Sequence, residues 1–275
     1  MIKPVQIFFR YIGYYFRATT IYRIHSPFVY EFIKATLEDK RTYYQFAELE
    51  SIRRRLLRNK RTIEVTDFGA GSQVITTRHR AIGSMASSSL TPPAYSRLLF
   101  RMVNYLKPKT LLELGTSFGI SSLYLYLPNK KAKMVTMEGC PNVAQIAQNS
   151  FDQMKADDLQ LVNAPFDQSL PDVLTQFDQI DFLFVDGNHK REPTLFYFKQ
   201  ALKKATDKSC FVFHDIHWTE EMEGAWRTIQ EHPRVRLTID LFFMGLVFFN
   251  PDVKEKEHYT IIESKWKPWV RGFFK

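Results

Sequence analysis

Apolar and polar positions follow two different periods along the chain, and the change between them predicts the secondary structure. Over residues 4–17 the apolar side chains recur at helical spacing. A second helix is expected after Ser26-Pro27, which suit an N-cap and a first helical position. A third helical stretch covers about residues 43–58. Residues 62–92 are harder to interpret: IEVTDFGAGS fits a strand and a glycine-rich turn, and residues 85–93 have the composition of a loop.

From Tyr95 onward, short apolar runs alternate regularly with helical segments. The predicted strands read TLLELG, KMVTMEG, LQLVNA, IDFLFVDG and SCFVFHDI, and the predicted helices cover about 94–106, 120–127, 141–154, 169–177, 193–205 and 219–231. Nearly continuous apolar strands are typical of sheets buried on both faces. The chain then closes with RLTIDLF and MGLVFF, which fit a hairpin.

This order of elements predicts an α/β fold with a Rossmann-like, mostly parallel sheet, a terminal antiparallel hairpin strand and an N-terminal helical extension. We divide the chain into a basic, aromatic helical extension at 1–93 and a core at 94–275 that ends in a basic aromatic tail. The extension is expected to act as a lid or substrate region.

Charge is distributed unevenly along the chain. Residues 1–61 hold 13 Lys/Arg and 5 Asp/Glu, so most of the whole chain's net charge of +9 lies in this segment. This basic excess either serves solubility or indicates an anionic partner. No apolar run approaches the roughly 20 residues that a spanning helix needs, and the N-terminus lacks signal-peptide features. With two cysteines and no disulfide pattern, we expect a cytoplasmic protein.

Candidate chemistry is expected at the carboxyl ends of the strands, where open parallel sheets bind ligands. Gly115 and Gly119 bracket the first strand-to-helix turn. Glu138 ends the next strand, roughly 20 residues later. A carboxylate at this place can accept hydrogen bonds from both hydroxyls of a ribose. Ser117 stands where an NAD fingerprint requires glycine. A ribose-bearing cofactor without pyrophosphate, such as S-adenosylmethionine (SAM), therefore fits better than NAD. The hydroxyls of Thr116 and Ser117 suit the carboxylate of its amino-acid head.

The same residues resemble a known family. Glu113-Leu114-Gly115-Thr116-Ser117-Phe118-Gly119 is similar to the first motif of class I SAM-dependent methyltransferases, especially the caffeoyl-coenzyme A and macrocin-type O-methyltransferases. Glu138-Gly139 resembles their second motif, and Asp186-Gly187-Asn188-His189 and His214-Asp215 resemble the acidic ends of their fourth and fifth strands. The resemblance covers about residues 88–250. With the N-terminal arm included, the chain resembles a group of bacterial methyltransferases that carry a helical extension.

The resemblance implies a set of cofactor-binding residues. The family's third strand ends in an acidic turn that holds adenine, but Ala164-Pro165 stands there, so Asp167 or the Phe166 amide would have to substitute. The expected cofactor-binding residues are Glu113, Gly115, Thr116, Ser117, Gly119, Glu138, Gly139, Phe166, Asp167 and Asp186.

The expected reaction is O-methylation. The Asn/Asp-Pro-Pro-Tyr/Phe turn of amino-group methyltransferases is absent, and Asp-Gly-Asn-His occupies its place. The expected catalytic residues are Asp186, His189, Asp215 and His217, with His189 as general base and Asp186 as the alternative. Asp186 and Asp215 are also candidate ligands for magnesium or calcium, and for manganese, iron or zinc if His214 or His217 joins them. An NAD-dependent oxidoreductase and a non-catalytic binding protein remain alternatives.

The partner is less defined than the cofactor. The expected acceptor is a small molecule or a glycan- or lipid-linked hydroxyl, and nucleic acid is the weaker candidate. The basic aromatic ends, which include Trp266 and Trp269, indicate either a lid over the acceptor or peripheral binding to the anionic inner membrane surface. Asp67–Ser72 resembles a second glycine motif, but no acid-ended strand follows it, so we interpret it as a turn.

Overall fold

The computed structural model describes residues 4–67 and 76–271. Most of the turn predicted at Asp67–Ser72 lies outside these residues. The chain packs into two compact units: a discontinuous one, Met1–Asp39 with Gln179–Lys275, and a continuous one, Lys40–Asp178. The predicted division at 93/94 stays a prediction.

Helices form at the N-terminus as the periodicity predicts. In the discontinuous unit they are α1 (Pro4–Arg17) and α2 (Pro27–Ala35). Ser26 occupies the N-cap position of α2 and Pro27 its first turn, where a missing N–H costs nothing. Helix α3 (Tyr44–Arg58) begins the continuous unit.

The segment that was hard to interpret contains a hairpin and a helix. Strands β1 (Thr62–Asp67) and β2 (Thr76–Ala81) pair antiparallel, and α4 (Ile82–Ser89) follows. The prediction of a loop at 85–93 was therefore wrong over 85–89. Ile82 and Ala86 lie one helical turn apart and are both buried, so packing of this face outweighs the unfavourable serine-rich composition.

Helix α5 (Pro93–Leu106) leads into three parallel strands in the continuous unit. Their order is β3 (Thr110–Leu114), β4 (Lys133–Glu138) and β5 (Leu159–Asn163). The helices between and after them are α6 (Ile120–Tyr126), α7 (Pro141–Gln153) and α8 (Phe166–Thr175). Helix α8 begins three residues earlier than predicted, directly after Pro165 at its N-cap.

The discontinuous unit continues the alternation and ends it with the predicted hairpin. Its elements are β6 (Ile180–Val185), α9 (Arg191–Leu202), β7 (Ala205–His214), α10 (Glu220–Glu231), β8 (Leu237–Asp240), β9 (Met244–Phe248) and β10 (Glu257–Thr260). Strands β6 and β7 are parallel, β9 is antiparallel to both β7 and β8, and β10 is parallel to β8. Strand β10 was not predicted. The mostly parallel α/β class with an antiparallel terminal hairpin is confirmed.

Candidate functional site

The turn after β3 has the geometry of a tight ligand-binding turn. Gly115 and Gly119 adopt φ angles of +109° and +83°, and Ser117 between them adopts +48°. A Cβ atom on Gly119 would lie 2.6 Å from the Phe151 ring. The amides of Gly115 and Thr116 both donate to the Met137 carbonyl at 3.1 Å, which fixes the turn against β4. Non-glycine residues at positive φ are strained, and such residues are concentrated at functional sites.

Glu138 holds its carboxylate beside this turn. Its Oε2 accepts a hydrogen bond from the Ser117 amide and its Oε1 from the Cys140 amide, both at 2.9 Å. Burial raises the pKa of Glu138 from its ordinary 4.5, although the backbone N–H groups of Cys140, Ser117 and Gly139 oppose the shift. A carboxylate fixed by backbone amides at the end of the second strand is suited to accept the hydroxyls of a ribose.

Two residues predicted to touch the cofactor lie in a buried network beneath the turn. Glu113 and Thr116 are fully buried. Thr136 Oγ1 donates to Glu113 at 2.6 Å and lies 2.6 Å from the Thr116 hydroxyl, and Ser122 donates to the same carboxylate. Thr136 was not singled out from the sequence, although a polar residue inside an otherwise apolar strand is a usable signal.

Other residues border the turn and the Glu138 carboxylate. Ser89, the last residue of α4, has its hydroxyl 3.1 Å from that of Ser117. Asn163 donates to the carbonyls of Glu138 and Gly139 at 2.7 and 3.2 Å. Sequence reasoning missed Ser89 because it assigned that segment to a loop.

Phe166 and Asp167 form the first turn of α8, where Phe166 is half-buried and Asp167 exposed. The first amides of a helix have no carbonyl partner within the helix. The structure thus places both residues where a substitute for the missing acidic turn was predicted, and their contact with a cofactor stays a prediction.

A second cluster of polar side chains lies in the discontinuous unit, at the carboxyl ends of β6 and β7. His214 Nδ1 lies 3.1 Å from Asp186 and 3.4 Å from Asp215. His189 Nε2 lies 3.8 Å from a carboxylate oxygen of each aspartate. Burial by itself lowers the pKa of His214, but Asp186 and then Asp215 outweigh it and raise that pKa to about 10. Asn188 and Asp215 both adopt positive φ, so this cluster also contains strained backbone.

Three of these side chains form a donor set that fits a divalent cation. Asp186, His189 and Asp215 each offer one ligand atom, and these atoms lie within 4.8 Å of one another. Two carboxylate oxygens and one imidazole nitrogen suit manganese, iron or zinc better than calcium. The sequence predicted the two aspartates, and the structure adds His189. A protonated His214 would compete with such a cation for the same two carboxylates, because it also carries a positive charge.

His217, the fourth predicted catalytic residue, belongs to a different network. Its Nδ1 lies 2.9 Å from Glu223 and its Nε2 lies 2.8 Å from Asp240. Burial tends to lower the pKa of His217, but Asp240 and then Glu223 prevail and raise it. Arg10 of α1 bridges to Glu223 at 3.4 Å and donates to the Trp218 carbonyl at 3.0 Å. The partners Arg10, Glu223 and Asp240 could not be assigned from the sequence, because no local pattern links them.

The alternation of parallel strands and helices, the glycine turn and the carboxylate after the second strand define the fold of class I SAM-dependent methyltransferases. In particular, residues 112–216 match a family described as a methyltransferase domain. This stretch of the chain is therefore similar to a methyltransferase domain, and the resemblance inferred from the sequence is confirmed.

Solved structures show the same fold at low sequence identity. The O-methyltransferase from Bacillus cereus in complex with S-adenosylhomocysteine (SAH) is 15% identical with a TM-score of 0.54, covering 80% of this chain and 96% of that one. The SAH-bound methyltransferase PaMTH1 of Podospora anserina is 18% identical with a TM-score of 0.53, covering 59% and 81%. A putative caffeoyl-CoA O-methyltransferase from Staphylococcus aureus is 11% identical with a TM-score of 0.52, covering 58% and 85%.

A curated relative is similar to only part of the chain. The uncharacterised protein y4gI of Sinorhizobium fredii is 22% identical in an alignment of length 170 that covers 56% of this chain and 18% of that protein. This chain thus spans about a fifth of that relative. Within the residues described by the structure, no helix combines the length and apolar character that crossing a membrane requires.

Proposed function

We propose that this chain transfers the methyl group of SAM to a hydroxyl oxygen of a small-molecule acceptor. The observation that carries the proposal is the Glu138 carboxylate, held at 2.9 Å by the Ser117 amide of the glycine turn. This arrangement supports binding of a ribose diol, and Ser117 in place of a glycine disfavours a dinucleotide and hence the oxidoreductase alternative. A screen of hydroxyl acceptors that measures SAH release tests the activity.

The proposed reaction is an in-line displacement at the sulfonium methyl carbon. The acceptor oxygen forms a bond to carbon, the carbon–sulfur bond breaks, SAH leaves, and the hydroxyl proton passes to a base. We assign that base to His189, because its imidazole is partly exposed and lies 3.8 Å from both aspartates, which would stabilise the protonated ring. His217 is the poorer candidate, since both of its ring nitrogens are already engaged.

Polar side chains support the candidate residues of each unit separately. Glu113 and Thr116 keep the glycine turn in place through Thr136, so we assign them a positioning role toward the cofactor. Asp186 and Asp215 stabilise His189 as the base; in the metal-bound alternative the three side chains would hold a divalent cation, and His189 would be a ligand rather than the base. Such a cation would supply Lewis acidity that favours the deprotonated acceptor. Cytoplasmic location and a glycan- or lipid-linked acceptor stay predictions.

Replacing Glu138 by alanine is expected to weaken SAH binding by roughly 1–3 kcal/mol, since two hydrogen bonds to a charged acceptor are lost. SAH should raise the melting temperature of the wild type because it binds the native state. Isothermal titration measures the affinity directly. Glu48→Gln is the matched control, because Glu48 is an exposed glutamate on α3. Equal affinity in wild type and Glu138→Ala would place the cofactor elsewhere.

The pH dependence of SAH affinity provides a second readout of the same carboxylate. Because burial raises its pKa above 4.5, Glu138 takes up a proton earlier than an exposed glutamate as pH falls. SAH affinity should therefore be full well above this raised pKa and be lost as pH falls through it. The ligand-free fold should show the opposite trend and lose stability as pH rises through the same pKa. Glu138→Gln should remove both effects.

Manganese is expected to bind at Asp186, His189 and Asp215. Asp186→Asn and Asp215→Asn should each weaken binding about tenfold or more, because each removes one charged ligand oxygen. Titration calorimetry on the SAH-free protein measures this without reference to activity. Asp207→Asn is the control, since Asp207 is an exposed aspartate of the same unit. Manganese affinity that is unchanged in both site variants would refute the assignment.

A further inference from the structure

One face of helix α1 packs against the rest of the discontinuous unit. Tyr14 is buried with Phe242 and Ile262, and its hydroxyl donates to the Ile261 carbonyl. The rings of Tyr11 and Tyr14 lie 5.0 and 5.2 Å from that of Phe242. This inner face accounts for the helical periodicity of the tyrosines and fixes how α1 is oriented.

The opposite face of α1 presents large apolar side chains to solvent. Phe8, Phe9 and Phe16 are 58%, 66% and 75% exposed, and Val5 is 59% exposed. Residues 5, 8, 9 and 16 recur at helical spacing, so they form one continuous surface. Single exposed apolar residues are ordinary, but a contiguous aromatic patch indicates a surface that binds something apolar.

Two tryptophans extend this surface beyond the helix. Trp266 and Trp269 are 57% and 61% exposed. The Tyr15 hydroxyl of α1 donates to the Trp266 carbonyl at 2.9 Å, which joins the C-terminal segment to the helix. The Lys265 ammonium lies 5.2 Å from the Trp266 ring. Tryptophan beside lysine is typical of proteins at a lipid–water interface.

A basic cavity opens within the same surface. It has a volume of about 330 Å³, and its lining includes Phe16, Arg17, Arg23, Lys267 and Trp269. Lys267 donates to the Ala18 carbonyl at 2.6 Å, and burial together with the nearby Arg23 lowers its pKa. No carboxylate is among the described residues that line this cavity. Three cations around an aromatic-walled cavity would attract a phosphate-bearing headgroup.

The sequence around the surface is predominantly basic, although Arg10 and Lys265 are paired with Glu223 and Glu263. Residues 1–30 contain four Lys/Arg and no Asp/Glu, and residues 264–275 also contain four and none. Two copies of such a surface would repel each other electrostatically, which disfavours self-association through it. An anionic bilayer would match both its apolar face and its charge.

We propose that the outward face of α1, together with Trp266, Trp269 and the basic cavity, binds the surface of an anionic lipid bilayer. The phenylalanines and tryptophans enter the boundary between headgroups and acyl chains, while Arg17, Arg23 and Lys267 contact lipid phosphates. The helix lies in the plane of the interface, as amphipathic membrane-binding helices do. This inference does not depend on the proposed methyl transfer.

Vesicle sedimentation at low salt tests the proposal. The full chain should bind vesicles of phosphatidylcholine mixed with phosphatidylglycerol and bind vesicles of phosphatidylcholine alone much more weakly. The triple variant Phe8→Ser/Phe9→Ser/Phe16→Ser should lower binding about a hundredfold through lost apolar contact, and Arg17→Glu/Arg23→Glu about tenfold or more through charge reversal.

Matched controls separate the surface from general aromatic or charge content. Tyr44→Ser removes an aromatic side chain that is 78% exposed on α3, and Arg54→Glu/Arg58→Glu reverses two exposed charges on the same helix. Both controls should bind vesicles like the wild type. Absence of binding to the anionic vesicles, or equal losses in the controls and the surface variants, would overturn the proposal.

Fluorescence with brominated lipid keeps the test decisive if the triple variant does not fold. Anionic vesicles that contain brominated lipid should quench tryptophan emission in the wild type. In a Trp218→Phe background, which removes the other exposed tryptophan, Trp266→Phe/Trp269→Phe should lose most of that quenching, because the remaining Trp226 is buried. Quenching that persists in this double variant would refute the assigned surface. Sedimentation equilibrium tests the other occupant. If the wild type is a dimer, the phenylalanine substitutions make it a monomer and neither binds vesicles, the face instead binds a second copy of the chain.

Discussion

Replacing His189 by alanine is expected to lower turnover roughly a hundredfold or more while SAH affinity stays unchanged. The imidazole lies 3.8 Å from Asp186 and from Asp215, so the two carboxylates would stabilise the ring once it has taken the acceptor's proton. A methyl-transfer assay with an acceptor found by the screen measures turnover, and calorimetry measures SAH affinity. In the variant, the remaining rate should rise with pH, because the acceptor must then lose its proton to solvent.

His25→Ala is the matched control for this experiment, since His25 is an exposed histidine of the same unit. It should leave both turnover and SAH affinity unchanged. Near-normal turnover in His189→Ala would transfer the role of base to Asp186, the nearest carboxylate in the same cluster. A parallel loss of turnover and SAH affinity would mean that His189 supports the fold or the cofactor pocket instead.

Replacing Gly119 by valine is expected to destabilise the fold by roughly 2–5 kcal/mol. The residue adopts a φ of +83°, and its Cβ would lie 2.6 Å from the Phe151 ring and 3.3 Å from the Ala147 Cα. A β-branched side chain adds further strain in this conformation. The melting temperature should fall by several degrees, and SAH should no longer raise it. Phe151 is fully buried, so its ring has little room to move.

Gly224→Ala is the control for the loss of a glycine. Gly224 lies inside α10, where an added Cβ would meet only the Arg191 side chain at 3.6 Å. This substitution should leave stability unchanged or raise it by about 0.5–1 kcal/mol, because alanine favours a helix over glycine. A Gly119→Val protein as stable as the wild type would contradict the turn geometry.

The glycine experiment also shows what the structure adds to the motif. From the sequence, Gly119 belongs to a turn where a side chain would obstruct a ligand. In the structure the nearest obstacle is Phe151 of α7. A loss of SAH binding in this variant therefore reports on the fold first, whereas Glu138→Ala reports on the cofactor contact.

The sequence by itself determined the features that depend on short-range spacing. Helix and strand periods are local, so the parallel strands, their intervening helices and the closing hairpin could be predicted. The pairing of Gly115 and Gly119 with Glu138 could be predicted as well, because chain connectivity fixes the order of β3, the turn and β4. Asp186 and Asp215 followed from the rule that parallel strands end at the same edge of a sheet.

Only the tertiary structure decided which partners those residues have. Burial of Ile82 and Ala86 made a helix of a segment whose serines favour a loop. His217 and His189 are both histidines that follow a strand, yet Glu223 and Asp240 engage both ring nitrogens of His217, whereas His189 joins Asp186 and Asp215. The outward face of α1 is apolar in sequence like its inward face, and only packing against Phe242 showed which side is covered. Such differences depend on contacts between residues far apart in the chain, which local periodicity does not encode.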